Sequence, residues 1–188
     1  MDSFSKFVMQ FRNARKALQC IADRMQLKSL RIARSQSQET LAYTVSIYLD
    51  GKRIARASNS GTGGGTIVHF ESVEVRNTVE SEVSRIMSRA IIAGEEVMPT
   101  YDLTHLVDDL VNEQDNKAWF RSWGRKMLRE GKVAFLIETG NEVVGRSGFL
   151  GEAVPGTQAA VHADTIRKRG DKIVEVAGHP NFLLRINP

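Results

Sequence analysis

Residues 35–66, SQSQETLAYTVSIYLDGKRIARASNSGTGGGT, contain the pattern that decides the fold. Apolar residues alternate with polar or small ones over Leu41–Leu49, and Asp50-Gly51 then supplies a tight turn, because glycine adopts a positive φ without strain. Strands are predicted at about 28–34, 40–49 and 53–58, and a fourth over Thr66–Val75. The stretch therefore predicts an antiparallel β-meander but indicates no reaction.

Helical periodicity lies on both sides of the meander. Before it, apolar residues recur at intervals of three and four over Phe4–Met25, which predicts one amphipathic helix of about six turns. After it, Asn77 predicts the N-cap of a helix that ends near Gly94. Two further helices are predicted at Leu103–Val111 and Trp119–Leu128, separated by a polar Glu-Gln-Asp-Asn turn.

The remaining residues predict a small C-terminal α/β segment. Its elements are strands at about 132–138 and 142–144, a helix near 158–169 and a short strand at 173–177. The chain is thus predicted to be α+β, with an antiparallel sheet of about four strands packed with helices. Four segments are predicted. Residues 1–26 form an N-terminal helical extension and residues 27–98 form the meander with its covering helix. Residues 99–131 form a helical pair and residues 132–188 form the C-terminal segment. The last three are expected to form one domain.

Composition indicates an ordinary folded protein without disulfide or zinc–thiolate chemistry. Of 188 residues, 41% are hydrophobic and 26% charged. No run of about 18 apolar residues is present, so we expect no membrane contact and a cytoplasmic location. The single cysteine, Cys20, excludes an intramolecular disulfide, and its apolar neighbours indicate a small buried residue. No cofactor is expected.

Charge is distributed in blocks of opposite sign, although the formal net charge is only +4. The candidate binding residues of the two basic blocks are Arg12, Arg15, Lys16, Arg121, Arg125 and Arg129. Sequence-nonspecific nucleic-acid binding would suit these residues, with Trp119 and Trp123 stacking on bases, although core packing explains both tryptophans equally well. The acidic block between them predicts a face formed by Asp102, Asp108, Asp109 and Glu113.

The polar residues suggest three kinds of site. His105, Asp109 and Glu113 share one helix face and could form half a metal site, but a solvated acidic face is the stronger explanation, so no metal site is predicted. The loop candidates are Ser35, Ser37, Glu39, Asn59, Gly61, Gly63 and Gly64. Glycine N–H groups can cradle phosphate, but this loop leads into a strand instead of a helix, which favours a turn. No nucleophile–base pair is marked, so no enzymatic activity is predicted.

Three patterns follow one another in the meander: S-x-S-x-E-T-x-A-Y at Ser35–Tyr43, Y-L-D-G-K-R-I-A at Tyr48–Ala55 and N-x-G-x-G-G at Asn59–Gly64. Together they resemble a family of small proteins encoded by bacteriophages and prophages, and a weaker likeness extends to IRKRGDKIVEVAG at Ile166–Gly178. The chain departs from the pattern at Ser60 and Thr62, where an acidic residue and a histidine are usual.

The resemblance implies a phage accessory protein that works in the cytoplasm of an infected bacterium. Such proteins commonly bind and block a host machine, so the expected function is non-enzymatic inhibition of a defence complex such as CRISPR–Cas. The alternatives are sequence-nonspecific nucleic-acid binding through the basic helices, and small-ligand or phosphate binding at the glycine loop. A homodimer through the N-terminal helix is also expected.

Overall fold

The computed structural model describes residues 3–130, 132–139, 142–149 and 172–177, together with Asp164 and Lys168. Contacts divide the chain into two units, residues 1–113 and 114–188. The predicted α+β class is confirmed, because the first unit contains a four-stranded antiparallel sheet with helices packed on it.

The sheet of the first unit is the predicted meander. Its strands are β1 (Met25–Ile32), β2 (Tyr43–Leu49), β3 (Lys52–Asn59) and β4 (Ile67–Phe70), in the order β1-β2-β3-β4. At the β2–β3 hairpin, Asp50 and Gly51 have φ values of 50° and 79°. Two positive φ angles match the right-handed twist of the flanking strands, so the Asp-Gly turn forms as predicted. The fourth strand is shorter than the predicted Thr66–Val75.

The helices are α1 (Ser3–Ala17), α2 (Gln19–Ala22), α3 (Val73–Ile92) and α4 (Leu103–Arg129). The single N-terminal helix predicted up to Met25 was wrong, because the chain leaves helical geometry at Leu18, with φ −86° and ψ 10°, and β1 already begins at Met25. Apolar spacing does not mark this break, since Ala14 before it, Leu18 at it and Ile21 after it are all buried in the core. Cys20 on α2 is exposed, contrary to the prediction, because α2 is one turn that buries Ile21 and Ala22 instead.

Helix α3 begins earlier than predicted. Ser72, not Asn77, is the N-cap, and its side chain accepts a hydrogen bond from the Val75 N–H at 3.2 Å. The preceding backbone is held to the sheet because the Glu71 N–H donates to the Ile54 carbonyl at 2.9 Å. The chain therefore turns out of β4 directly into the helix.

The two helices predicted within 99–131 were also wrong, because Leu103–Arg129 is one continuous helix. The polar Glu-Gln-Asp-Asn segment contains neither proline nor glycine, so nothing there interrupts the backbone hydrogen bonds. Its polarity marks an exposed part of the helix and not a turn. Gly124, which weakens a helix prediction, is buried within α4.

The second unit contains a three-stranded antiparallel sheet. Its strands are β5 (Lys132–Thr139), β6 (Glu142–Phe149) and β7 (Lys172–Ala177), in the order β6-β5-β7. The strands predicted at 132–138 and 173–177 are present, and the one predicted at 142–144 extends to Phe149. The helix predicted near 158–169 lies almost wholly outside the described residues.

The helices of the described ranges differ from membrane-spanning helices. None of them combines the length with the apolar character that crossing a bilayer requires.

The position of the α3 N-cap can be tested by two alanine substitutions. We expect Ser72→Ala to lower the free energy of unfolding by about 1 kcal/mol, because it removes the acceptor for an N-terminal helix N–H. Asn77→Ala should leave stability unchanged within about 0.5 kcal/mol, because Asn77 is exposed inside the helix. Urea denaturation measures both values, and a larger loss for Asn77→Ala than for Ser72→Ala would contradict the assignment.

Candidate functional site

A buried polar cluster joins helix α4 to the sheet of the first unit. Asp108 Oδ1 accepts hydrogen bonds from the Tyr43 hydroxyl at 2.8 Å and from Thr66 Oγ1 at 2.6 Å. Tyr43 and Thr66 are 3% and 8% exposed. Burial raises the pKa of the Tyr43 hydroxyl, and the Asp108 carboxylate adds to that effect. Because buried hydroxyls need acceptors, Asp108 has a structural role at this position.

Asn59 connects this cluster to the glycine loop. Its Nδ2 group donates to the Gly64 carbonyl at 3.1 Å and to Thr66 Oγ1 at 3.2 Å. Its Oδ1 atom accepts from the Gly61 N–H at 2.8 Å and from Thr40 Oγ1 at 3.0 Å. One amide side chain, 8% exposed, thus holds both ends of the loop.

Two glycines of the loop are required by its backbone geometry. Gly61 and Gly63 both have φ values of 84°. A Cβ atom on Gly61 would lie 2.5 Å from the Gln36 carbonyl oxygen, and one on Gly63 would collide with the Glu39 carboxylate. The Gly61 carbonyl also accepts from three successive N–H groups, those of residues 38–40, at 2.9–3.3 Å. These positions therefore need glycine for packing as well as for φ.

Phosphate binding at this loop is opposed by the same contacts. The Gly61 N–H donates to Asn59 and the Gly63 N–H donates weakly to Thr40 Oγ1 at 3.4 Å, so these donors already have acceptors. The Glu39 carboxylate packs over Gly63 and would repel an anion. The glycine loop is thus better explained as a structural turn.

The serines of the loop candidates are also structural or exposed. Ser37 Oγ accepts from the Ala42 N–H at 2.9 Å and donates to the Ala33 carbonyl at 3.1 Å, closing the connection between β1 and β2. Ser35 lies in a short 3₁₀ turn and is exposed. Neither serine is hydrogen-bonded to a histidine among the contacts of the described residues, so neither has the partner that an activated nucleophile needs.

A cleft of about 530 Å³ opens beside this network. Phe11 and Leu41 form an apolar wall of the cleft. Its polar lining comes from Glu39, Thr40, Asn59, His105, Asp108, Asp109 and Asn112. Sequence reasoning selected Glu39, Asn59 and the two aspartates, but it missed Thr40 and Asn112. Tyr43 belonged to the resemblance pattern, yet nothing local marked it as a partner of Asp108.

A second cluster surrounds Asp109. The Tyr101 hydroxyl donates to Asp109 Oδ2 at 2.6 Å, and Arg15 lies 3.9 Å from Asp109 and 3.8 Å from Glu113. Burial raises the pKa of Asp109 and that of Tyr101. The Tyr101 ring also stacks on His105 at a centroid distance of 5.4 Å. Arg15, predicted as a partner-binding cation, is therefore already engaged with the acidic residues.

The predicted acidic face is not one solvated surface. Asp102 is the N-terminal cap of α4, because its Oδ1 atom accepts from the Thr104 N–H at 2.9 Å and the His105 N–H at 3.2 Å. Burial acts to raise the pKa of Asp102, but the hydrogen bonds from Thr104 and His105 outweigh it and the pKa is lowered. Asp108 and Asp109 serve Tyr43 and Tyr101 as described. No group of three metal-ligating side chains occurs within the described parts of the chain.

The other N-terminal basic residues lie on α1, where Arg12 is half-buried and Lys16 exposed. The apolar side of α1 enters the core through Ala14, which is fully buried, while Phe4 and Phe7 near its start remain 75% and 47% exposed. Most of the apolar stripe that suggested a homodimer is thus used within the chain. The homodimer stays a prediction.

The second basic set forms a line on α4. Because the helix is continuous, Lys117, Arg121, Arg125 and Arg129 recur every four residues on one side, about 6 Å apart along the axis. All four are exposed. We call these four residues the basic stripe. They belong to the second unit, whereas Arg12, Arg15 and Lys16 belong to the first.

The two tryptophans of α4 stack on each other. Their ring centroids are 5.4 Å apart and the planes differ by 9°. Trp123 packs against Phe120, which is fully buried, whereas Trp119 is 49% exposed. Core packing therefore accounts for Trp123 but leaves much of Trp119 in solvent.

The structural role of the glycine loop can be tested at Gly61. We expect Gly61→Ala to reduce the free energy of unfolding by about 1–3 kcal/mol, because the added Cβ meets backbone and the φ value suits glycine. Gly65→Ala is the matched control and should change stability by less than about 0.5 kcal/mol, since its Cβ enters open space. Equal losses in thermal or chemical denaturation would contradict this account.

Comparisons of the chain with protein-family models, with curated protein sequences and with solved structures find no match.

Proposed function

We propose that this protein is a sequence-nonspecific nucleic-acid-binding protein and that the basic stripe of α4 is its contact surface. The observation that carries the proposal is the alignment of four exposed cationic side chains on one uninterrupted helix. The second predicted helix, Trp119–Leu128, would have left Lys117 outside the line of arginines. The single helix presents it as one line.

Electrostatics supports a polyanion as the ligand. Residues 116–129 contain five lysines and arginines, at 117, 121, 125, 126 and 129, and no aspartate or glutamate. Cations in a row neutralise phosphates and release condensed counterions, which supplies most of the free energy of nonspecific binding. No base-reading motif accompanies the stripe in the sequence, so the expected binding is independent of base sequence.

The acidic residues support this choice over mimicry of nucleic acid. A mimic needs carboxylates displayed to solvent, whereas Asp108 and Asp109 are half-buried and accept hydrogen bonds from Tyr43 and Tyr101. Glu113 lies beside Arg15, which neutralises part of its charge. Of the four predicted residues of the acidic face, Asp102 and Glu113 are exposed, so the face displays about half of the negative charge that its sequence suggests.

Salt dependence tests the contact surface. With about four phosphate contacts, log K for a single-stranded oligonucleotide should fall with log salt at a slope of about −3, and a duplex should give a slope nearer −4. The double variant Arg125→Gln/Arg129→Gln should reduce the magnitude of either slope by about 1.5 and weaken binding at low salt. Fluorescence anisotropy with labelled mixed-sequence oligonucleotides measures both quantities.

The matched control is Arg85→Gln/Arg89→Gln. It removes two exposed arginines with the same four-residue spacing from α3, so the change in net charge is identical. We expect a wild-type slope for this control. Equal effects of the two double variants would show that binding depends on net charge and not on the position of the basic stripe. Absence of binding at every salt concentration would contradict the proposed function.

A second candidate function is non-enzymatic inhibition of a bacterial defence complex in the cytoplasm of an infected host. The observation that favours it is that segments of the phage-like pattern come together in the first unit. Glu39, Thr40 and Asn59, from the first and third segments, line one cleft with Gly63 and Gly64. An inhibitor of this kind would bind a protein or nucleoprotein partner, and the basic stripe could compete for the nucleic acid of such a complex.

Affinity capture from bacterial lysate, with and without nuclease, separates the two candidates. Inhibition predicts that a defence complex is captured and resists nuclease treatment. Nucleic-acid binding predicts that the bound proteins disappear with nuclease and that the Arg125→Gln/Arg129→Gln variant captures fewer of them. Failure to recover a defence complex in repeated captures would count against inhibition.

A further inference from the structure

We propose that the nucleic acid bound by α4 is single-stranded and that Trp119 is a stacking platform for one of its bases. This inference rests on the proposed function and names its ligand class. It is carried by the geometry of the tryptophan pair together with the basic side chains that flank it.

The platform consists of three aromatic side chains in contact, and the innermost of them lies in the core. Phe120 is fully buried, and the Trp123 ring packs against it at a centroid distance of 6.1 Å. Trp119 then stacks on Trp123, nearly parallel, at 5.4 Å. One face of the Trp119 indole is covered by this neighbour, and half of the residue is exposed to solvent. Because the Trp119 ring is already restrained by stacking on Trp123, it loses little conformational freedom when a base stacks on its other face.

The position of Trp119 on the helix connects it to cationic side chains. Lys126 lies seven residues later, close to two helical turns, so it is on the same side of α4 as Trp119. Arg129 follows Lys126 by three residues and is its neighbour on the helix surface. Lys126 and Arg129 are both exposed. A strand whose base covers Trp119 can therefore run along Lys126 toward the stripe with its phosphates facing cations.

Base stacking on a protein ring requires an accessible base. In a duplex both faces of each internal base are covered by neighbouring bases, so an indole on a helix surface finds no partner there without unstacking the duplex. A single strand offers its bases without that cost and can adjust its backbone to the spacing of the stripe. The exposed indole beside cations therefore favours single strands, whereas cations alone would favour the denser charge of a duplex.

The intrinsic fluorescence of the protein reports this contact directly. Trp119 and Trp123 are the two tryptophans of the chain, and both belong to the platform. We expect short oligothymidylate and oligouridylate to quench the tryptophan emission as they bind. A duplex of the same length should bind more weakly at equal salt and change the emission little. Quenching by either single strand supports the proposal, and the oligonucleotide that binds more tightly identifies the ligand as DNA or RNA.

Two variants separate stacking from folding. Trp119→Ala should weaken single-strand binding by about 5- to 150-fold, the range given by loss of one stacked base, with little effect on duplex binding. Trp119→Phe keeps an aromatic face and should recover part of the affinity. Circular dichroism verifies that each variant keeps its helix content. If the Ala variant does not fold, the affinity of the Phe variant and the quenching of the wild type test the stacking of a base on Trp119.

The outcomes distinguish this inference from the function on which it rests. Duplex binding as tight as single-strand binding, without quenching, would overturn the single-strand inference and leave nucleic-acid binding intact. Equal single-strand affinity of Trp119→Ala and wild type would overturn the platform in the same way. Absence of binding to both forms at low salt would overturn the proposed function itself.

Discussion

The hydrogen bonds that Asp108 accepts from Tyr43 and Thr66 are the contact on which the first unit depends. They attach helix α4 to the beginning of strand β2 and to the residue that follows the glycine loop. Because the Tyr43 and Thr66 hydroxyls lie 2.9 Å apart, one could donate to the other without Asp108, but the second hydroxyl proton would lose its acceptor at a cost of about 1–3 kcal/mol. Asn59 extends the network from Thr66 into the loop, so sheet, loop and helix share one connected set of polar groups.

These contacts reduce the negative charge that the acidic block displays to solvent. Carboxylates that the sequence places in one acidic block are directed inward or toward neighbours: Asp102 caps α4, Asp108 holds the hydroxyls and Asp109 accepts from Tyr101. Arg15 lies beside Asp109 and Glu113, so part of the N-terminal basic block and part of the acidic block neutralise each other. The cations of α4 after residue 116 are exposed, which is why the proposed contact surface is placed there.

The continuity of α4 shows where local patterns mislead. Four polar residues between two apolar clusters predicted a turn, yet helices tolerate any number of polar residues on their exposed side. Turns require a residue that breaks the backbone hydrogen bonds, and neither proline nor glycine occurs in that segment. The consequence is functional, because continuity aligns Lys117 with Arg121, Arg125 and Arg129 on one helix.

The sequence by itself determined the α+β class, the Asp-Gly hairpin, the approximate strands and the basic residues of α4. These follow from periodicities of two and 3.6 residues and from turn chemistry, which act between neighbours along the chain. Only the tertiary structure decided that Asp108 meets Tyr43 across 65 residues, that Arg15 lies beside Asp109, and that Trp119 is exposed while Phe120 is buried. Local sequence does not encode such partners, because packing buries polar groups from distant parts of the chain together, and these groups then have to satisfy one another.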